Sequence, residues 1–224
     1  MSSIIYLKEY ASLPPVDIGE LFRYSGLGKS EPSYEFLSEV DEIIKDAEGK
    51  LTFKICYRLV DIDYSDNCIM LENLRSDSGL LKRRLKNSSK AIVFAATVGM
   101  WIDRKIIRYG SVSPLKSLIY EALGNERIEA LCDEFENDMR KKYQYTTDRF
   151  SPGYGDFDIG YQRDIFRMLD CQRKIGLTLN ESLMMSPSKS VTAIMGIGRC
   201  GDDGEKTGKC EGCSLLDCTY RING

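Results

Sequence analysis

Hydrophobic positions along this chain follow two periods, and the alternation between them predicts its elements. From Pro32 to Glu48, the residues Phe36, Leu37, Val40, Ile43, Ile44 and Ala47 recur at helical spacing, with Gly49 as the stop. Residues 51 to 60 switch to period two. Leu51, Phe53, Ile55, Tyr57 and Leu59 share one face and Thr52, Lys54 and Arg58 the other, which predicts a strand with one wet face. Asp63 to Asn67 read as a turn and Cys68 to Leu71 as a short partner strand. The continuous apolar run Ala91 to Val98, ended by Gly99, fits a buried strand, and residues 191 to 198 (VTAIMGIG) fit the last core strand.

The helices carry their own start signals. Asp17 is a cap with Glu20 three residues on, predicting a short helix that ends near Gly26 or Gly28. Ser78 caps a basic helix over residues 79 to 86, and a further helix carries Met100-Trp101-Ile102 and Ile106-Ile107. Ser113-Pro114 places a capping serine before a first-turn proline. From there helical spacing runs through Leu115, Leu118, Ile119, Leu123, Ile128, Leu131, Cys132, Phe135 and Met139, with Gly124-Asn125 as a possible break into two helices. Strands and helices mix without regular β-α-β alternation. The fold class expected is therefore α+β, a largely antiparallel twisted sheet flanked by helices. The one boundary expected lies at Arg199, dividing a domain over residues 1–198 from a cysteine-rich tail over residues 199–224.

Composition narrows the chemistry. With 42% hydrophobic and 29% charged residues, the 224-residue chain suits a globular domain with an ample core. A net charge of −3 argues against a nucleic-acid surface, and no apolar run is long enough to cross a bilayer. The first residues lack the pattern of a secretory signal, so a cytoplasmic location is expected. The chain has no histidine, which excludes histidine-based triads, general bases and metal ligands together.

The residues with the most specific chemistry lie between 149 and 198. Arg149 stands three residues before a Pro152-Gly153-Tyr154 turn, and a short amphipathic helix follows. Asn180-Glu181-Ser182-Leu183-Met184-Met185 then leads through Ser186-Pro187-Ser188-Lys189-Ser190 into the last strand. An arginine fork matches a carboxylate in bidentate fashion. Pro-Gly fixes a turn and lets main chain approach a flat group, and Tyr154 adds an aromatic face with a polar end. Taken alone, an arginine beside such a turn also describes a solvated surface loop. Glu181-Ser182 and the two methionines can equally close a helix and pack a core. Lys189, between serines at the mouth of a strand, suits a docking or phosphate-facing loop.

In combination and order, these segments resemble the activation domain of cobalamin-dependent methionine synthase, most clearly over residues 149 to 198 and more weakly over most of residues 1 to 198. The resemblance implies an unusual α+β domain that binds S-adenosylmethionine. It implies that Arg149 holds the ligand carboxylate and that the backbone of Pro152, Gly153 and Tyr154 lines the adenosyl end. It places the family's ligand-contacting glutamate at Glu129 and its N-terminal aspartate at Asp17, although an exposed helical glutamate and a helix cap account for the same two residues. It further implies a partner chain carrying cobalamin, a flavodoxin- or ferredoxin-like reductant, and a role in the reductive methylation of cob(II)alamin to methylcobalamin. At this length the chain is expected to act as a stand-alone subunit, a component of the methyltransferase and not a complete enzyme.

The tail departs from that family pattern. Cys200, Cys210, Cys213 and Cys218 fall within 19 residues at spacings x9, x2 and x4. Four thiolates so spaced could hold a zinc ion or an iron–sulfur cluster. A disordered tail with free thiols is the plainer alternative. An iron–sulfur electron-transfer partner of a corrinoid methyltransferase is accordingly the second function considered. Cys56, Cys68, Cys132 and Cys171 sit in apolar patterns and are expected in the core.

Overall fold

A computed structural model describes residues 4–26, 32–65, 67–143 and 145–198. The sheet has β1 (Tyr6–Tyr10), β2 (Phe53–Tyr64), β3 (Ile69–Leu71), β4 (Leu74–Ser76), β5 (Ser88–Thr97) and β8 (Ser190–Gly198), in the order β4-β3-β2-β5-β8, and all its pairs are antiparallel. β1 pairs with the first half of β2 and β3 with its end, on the same edge of the long strand. A separate hairpin joins β6 (Thr178–Leu179) to β7 (Met185–Ser186). The α+β expectation is met.

Helices cover both faces of the sheet. One face carries Ile55, Tyr57, Ile92, Phe94, Ala96, Ala193, Met195 and Ile197 and packs on α1 (Ile18–Tyr24), α2 (Tyr34–Ala47), α4 (Met100–Tyr109) and α5 (Pro114–Lys142). The other carries Cys56, Val60, Ala91, Val93, Ala95 and Ile194 and packs on α3 (Gly79–Leu85), α6 (Gln162–Leu169) and α7 (Cys171–Ile175). The wet face expected for β2 is therefore mostly covered. Cys56 and Val60 occupy it beside Arg58, and Arg58 turns its guanidinium to Glu72 at 3.2 Å and the Met168 carbonyl at 3.2 Å instead of to water. A charged side chain with a long apolar stem fits such a layer when its head is paired.

The capping serines behave as their positions require. Ser33, Ser78 and Ser113 each accept a backbone N–H of the first turn of α2, α3 and α5. α5 differs from expectation, because it runs unbroken for 29 residues through Gly124-Asn125. Those two residues accommodate Lys189 and do not mark a turn. A Cβ on Gly124 would stand 2.8 Å from Lys189 Cγ. Lys189 Nζ donates to Asn125 Oδ1 at 2.9 Å and pairs with Glu121. Lys189 is consequently buried and does not face outward as a docking group. Its neighbour Ser188 is fixed by Asp103, which accepts the backbone N–H at 2.7 Å and the hydroxyl at 2.6 Å.

Gly124→Ala tests this packing. In an ordinary helix interior the change stabilises by about 0.5–1 kcal/mol. Here the added methyl displaces a buried lysine stem, and overpacking of this kind costs about 1–3 kcal/mol. A thermal melt should show a net loss, with Tm lower by about 2–4 °C for each kcal/mol lost. A rise in Tm would contradict the packing role assigned to Gly124.

Candidate functional site

After α5 the chain turns back along the outer edge of β8. Thr147 N–H donates to the Gly196 carbonyl at 3.0 Å, and Phe150 and Ile194 exchange both backbone bonds at 2.9 Å. The next position of this ladder would oppose Thr192 to Pro152, whose nitrogen carries no hydrogen, and the pairing ends there. The chain then bends through Gly153 (φ 95°) and Gly155 (φ 58°), closed by a 2.7 Å bond from Gly153 N–H to the Phe157 carbonyl. Gly155 must lack a side chain, because a Cβ there would stand 2.1 Å from Leu80 Cδ1 on α3. Asp156 ties the bend to that helix by accepting from the Ser78 hydroxyl, from Gly79 N–H at 2.8 Å and from Leu80 N–H at 3.2 Å. Phe150, Phe157 and Tyr161 stack in series beneath it, with centroids 5.8 and 5.0 Å apart.

Between this bend, α3, α5, α6 and β8 lies a cleft of about 270 Å³. Arg149, Glu129, Pro152 and Tyr154 line it, so the structure brings together four of the six residues singled out from the sequence. Gly153 belongs to the same bend but not to the lining. Asp17 is outside the lining. Its carboxylate caps α1 through Glu20 N–H at 3.1 Å, while its own N–H donates to Glu126 Oε1 at 3.0 Å.

The Arg149 side chain is only 9% exposed, and α5 meets it with three carboxylates. Glu129 accepts from Nη2 at 2.6 Å, Asp133 from Nη1 at 2.6 Å, and Glu136 also pairs with Nη1. Spacings of four and three put those acids on one helical face. Burial opposes the charge on Arg149, but the negative groups around it, Glu136, Glu129 and Asp133 among them, more than reverse that and push its pKa further up. Burial conversely pushes the neighbouring Cys132 thiol up, so it stays protonated. Glu136, 4% exposed, is further held by Arg140 at 2.8 Å. Glu129 and Asp133 are the solvent-facing members, at 38% and 52%.

Sequence reasoning missed several lining residues, including Leu80 and Arg84 on α3, Gln162 on α6, and Ser190, Val191 and Thr192 on β8. The polar pair Ser190 and Thr192 inside an otherwise apolar strand is the signal that could have found the last of these. Arg84 lies over the Phe150 ring, 5.4 Å from its centroid. Asn180 to Met185 form the β6–β7 hairpin and do not close a helix. Asn180 Oδ1 accepts Met184 N–H at 2.8 Å, Met184 is exposed, and Met185 reaches the cleft wall. Of the four cysteines expected in the core, Cys56, Cys132 and Cys171 are there. Cys68 is part-exposed beside the Ser65 hydroxyl, whose hydrogen bond, followed by one from Arg75, lowers its pKa. Among the described residues no group of three His, Cys, Asp or Glu side chains could hold a metal ion. Cys200, Cys210, Cys213 and Cys218 lie outside the described residues. No helix among the described residues is long and apolar enough to cross a membrane.

The Asp156 link has a pH signature. Burial works against its ionised form, but the Ser78 hydroxyl and the Leu80 and Gly79 N–H groups outweigh it, so its folded pKa is depressed. Stability from a depressed carboxylate is fully present above its unfolded value and is lost as pH falls through the folded one. Asp156→Asn should therefore melt below the wild type at pH 7, and the gap should close below about pH 4. A gap unchanged between pH 7 and pH 3 would contradict the assignment.

Comparison with known proteins places this chain in a family. Residues 84–199, just over half of the chain, match the family model described as vitamin B12 dependent methionine synthase, activation domain. A crystal structure of the MetH reactivation domain bound to AdoHcy superposes with a TM-score of 0.71 over 87% of this chain and 78% of that one, at 16% identity. At that identity the likeness is one of fold. No curated protein matches the chain. A shared architecture, with the matched segment running from α3 through the Arg149 bend to the end of β8, identifies this chain as a member of the family of activation domains of vitamin B12-dependent methionine synthase.

Proposed function

We propose that the cleft binds S-adenosylmethionine and presents its methyl group to a cobalamin carried by a partner chain, supporting reductive methylation of cob(II)alamin to methylcobalamin. The observation that carries this reading is the Arg149–Glu129 ion pair lying in the same cleft as Pro152 and Tyr154. An amino-acid headgroup bears one carboxylate and one ammonium. It can insert between the two partners with no net change of charge, its carboxylate taking the guanidinium and its ammonium taking Glu129. Glu129 and Asp133 are exposed enough to move aside, whereas Glu136 stays and keeps the arginine oriented. The glycine-rich bend and the Tyr154 ring lie beside this pair, where the adenosyl end would rest.

The protein's own contribution is positioning. It orders the methyl donor and holds it in line for attack, which removes much of the entropic cost of bringing two reactants together. A cobalamin-binding methionine synthase chain and a flavodoxin- or ferredoxin-like reductant complete the proposed system. The MetH reactivation domain of similar fold is bound to AdoHcy, the demethylated form of that donor, which supports the reading. The tail cysteines are proposed as a zinc or iron–sulfur site, which metal analysis of the purified chain tests.

Calorimetric titration with S-adenosylmethionine tests the ligand. Arg149→Lys keeps the charge but loses the fork, and should weaken binding by about tenfold or more, the scale of one charge-assisted bond. Unchanged affinity would remove Arg149 from the site. Arg149→Ala is a poorer probe. It leaves the buried Glu136 with Arg140 alone, and breaking a buried pair of this kind destabilises a fold by about 3–5 kcal/mol. Mixed with a cobalamin-bearing partner, the donor and a reductant, the wild-type chain should raise methylcobalamin formation above the partner-alone rate; no increase would count against the activity.

A further inference from the structure

Among the described residues, one polar atom on each of two cleft side chains is buried with no hydrogen-bond partner. Gln162, the first residue of α6, is 6% exposed, and its Oε1 is buried without a partner. Thr192, near the start of β8, is 2% exposed, and its Oγ1 is likewise buried and unpartnered. Both residues line the cleft. Thr192 shares the sheet face of Ile194, which packs against α6, so Thr192 and Gln162 belong to the same layer. Nearby polar groups are satisfied: the Ser190 hydroxyl bonds the Thr97 hydroxyl and the Pro187 carbonyl, both at 2.8 Å. Burying a donor or acceptor without a partner is unfavourable, and native folds leave few such groups unless something else completes them.

The surroundings indicate what completes them. Phe150 and Tyr154 line the same cleft, with ring centroids 6.5 Å apart, and offer aromatic surface to a flat group. Pro152 and Val191 add apolar wall, and the backbone ladder stops at Pro152 opposite Thr192. A carboxamide oxygen accepts only, so Gln162 Oε1 calls for a ligand N–H, while a hydroxyl can donate to a ring nitrogen. A planar heterocycle with an exocyclic amino group beside a ring nitrogen satisfies both at once.

We propose that Gln162 and Thr192 are specificity-determining residues that read the adenine edge of the bound nucleoside, Gln162 Oε1 accepting from the 6-amino group and the Thr192 hydroxyl donating to a ring nitrogen. The proposal rests on the adenosyl reading of the cleft and adds to it the residues that distinguish adenine from other bases. It also accounts for two polar atoms that lower the stability of the empty protein. Replacing Thr192 by the isosteric valine removes an unsatisfied hydroxyl, so stability and affinity should move in opposite directions.

The test compares S-adenosylhomocysteine with two analogues, one with unsubstituted purine and one with hypoxanthine in place of adenine, titrated into the full chain. Wild type should bind the adenine compound at least about tenfold more tightly than either analogue, the scale of one lost hydrogen bond. Gln162→Leu should erase that preference. Thr192→Val should weaken the adenine compound about tenfold while its melting temperature holds or rises. Equal wild-type affinity for all three compounds would overturn the proposal and leave the adenosyl site standing, and this comparison needs no variant to fold. Variants that fold and bind as wild type does would also overturn it. Weakened variants with no discrimination among the bases would assign the two residues to the ribose instead and overturn base reading. Wild type binding none of the three would overturn both this proposal and the function on which it rests.

Discussion

A guanidinium almost removed from water must be matched by negative charge, and Arg149 is matched by one face of α5. Glu129, Asp133 and Glu136 meet it from successive turns of the longest helix in the described structure. Desolvating a charge is unfavourable by several kcal/mol unless geometry and hydrogen bonds compensate, so this cluster fixes where the returning chain crosses the helix. Much else follows from that crossing. The segment that pairs with β8 runs through the arginine, and the stop at Pro152 and the bend through Gly153 and Gly155 follow it. The cleft is the space the bend leaves against α3, α6 and the uncovered end of β8.

That end of the strand is held by a second buried cation. Lys189 crosses Gly124 to reach Glu121 and Asn125, and Asp103 holds Ser188 beside it. One basic residue thus anchors the start of β8 to α5, and another anchors the segment running along its edge to the same helix two turns on. The wall formed by Ser190, Val191 and Thr192 lies between these anchors. Such a wall is pre-positioned, which suits a site whose work is to orient a ligand and whose own side chains need not react.

Much of this was legible in the sequence because it depends on local chemistry. The capping serines at 78 and 113 and the helical spacing of α2 and α5 gave helices within a few residues of those found. The apolar runs from Ala91 to Val98 and from Val191 to Gly198 gave β5 and β8. The order of Arg149, the Pro-Gly-Tyr turn and the final strand pointed to the cleft. What stayed hidden depends on distant partners. Gly124-Asn125 reads as a helix break in isolation, and only the lysine 65 positions further along explains it. β1 is a mostly exposed edge strand, fastened by Lys8 and Tyr10 to Asp138 on α5, and nothing in its own pattern announces that. The second face of β2 looked wet because its polar members, such as Arg58, are paired beneath α6 and α7. Nor does the sequence reveal that Glu129, expected to receive a ligand's ammonium, already holds the arginine expected to receive its carboxylate.

That last point is the centre of the account, in which the ion pair at the cleft is a closed form of the binding site that an amino-acid headgroup opens. A crystal structure of the chain with S-adenosylmethionine decides it most directly. The account predicts the ligand carboxylate on the Arg149 guanidinium, Glu129 turned to the ligand ammonium, and Glu136 unmoved. A ligand bound elsewhere, with Arg149 still held by all three carboxylates, would contradict it.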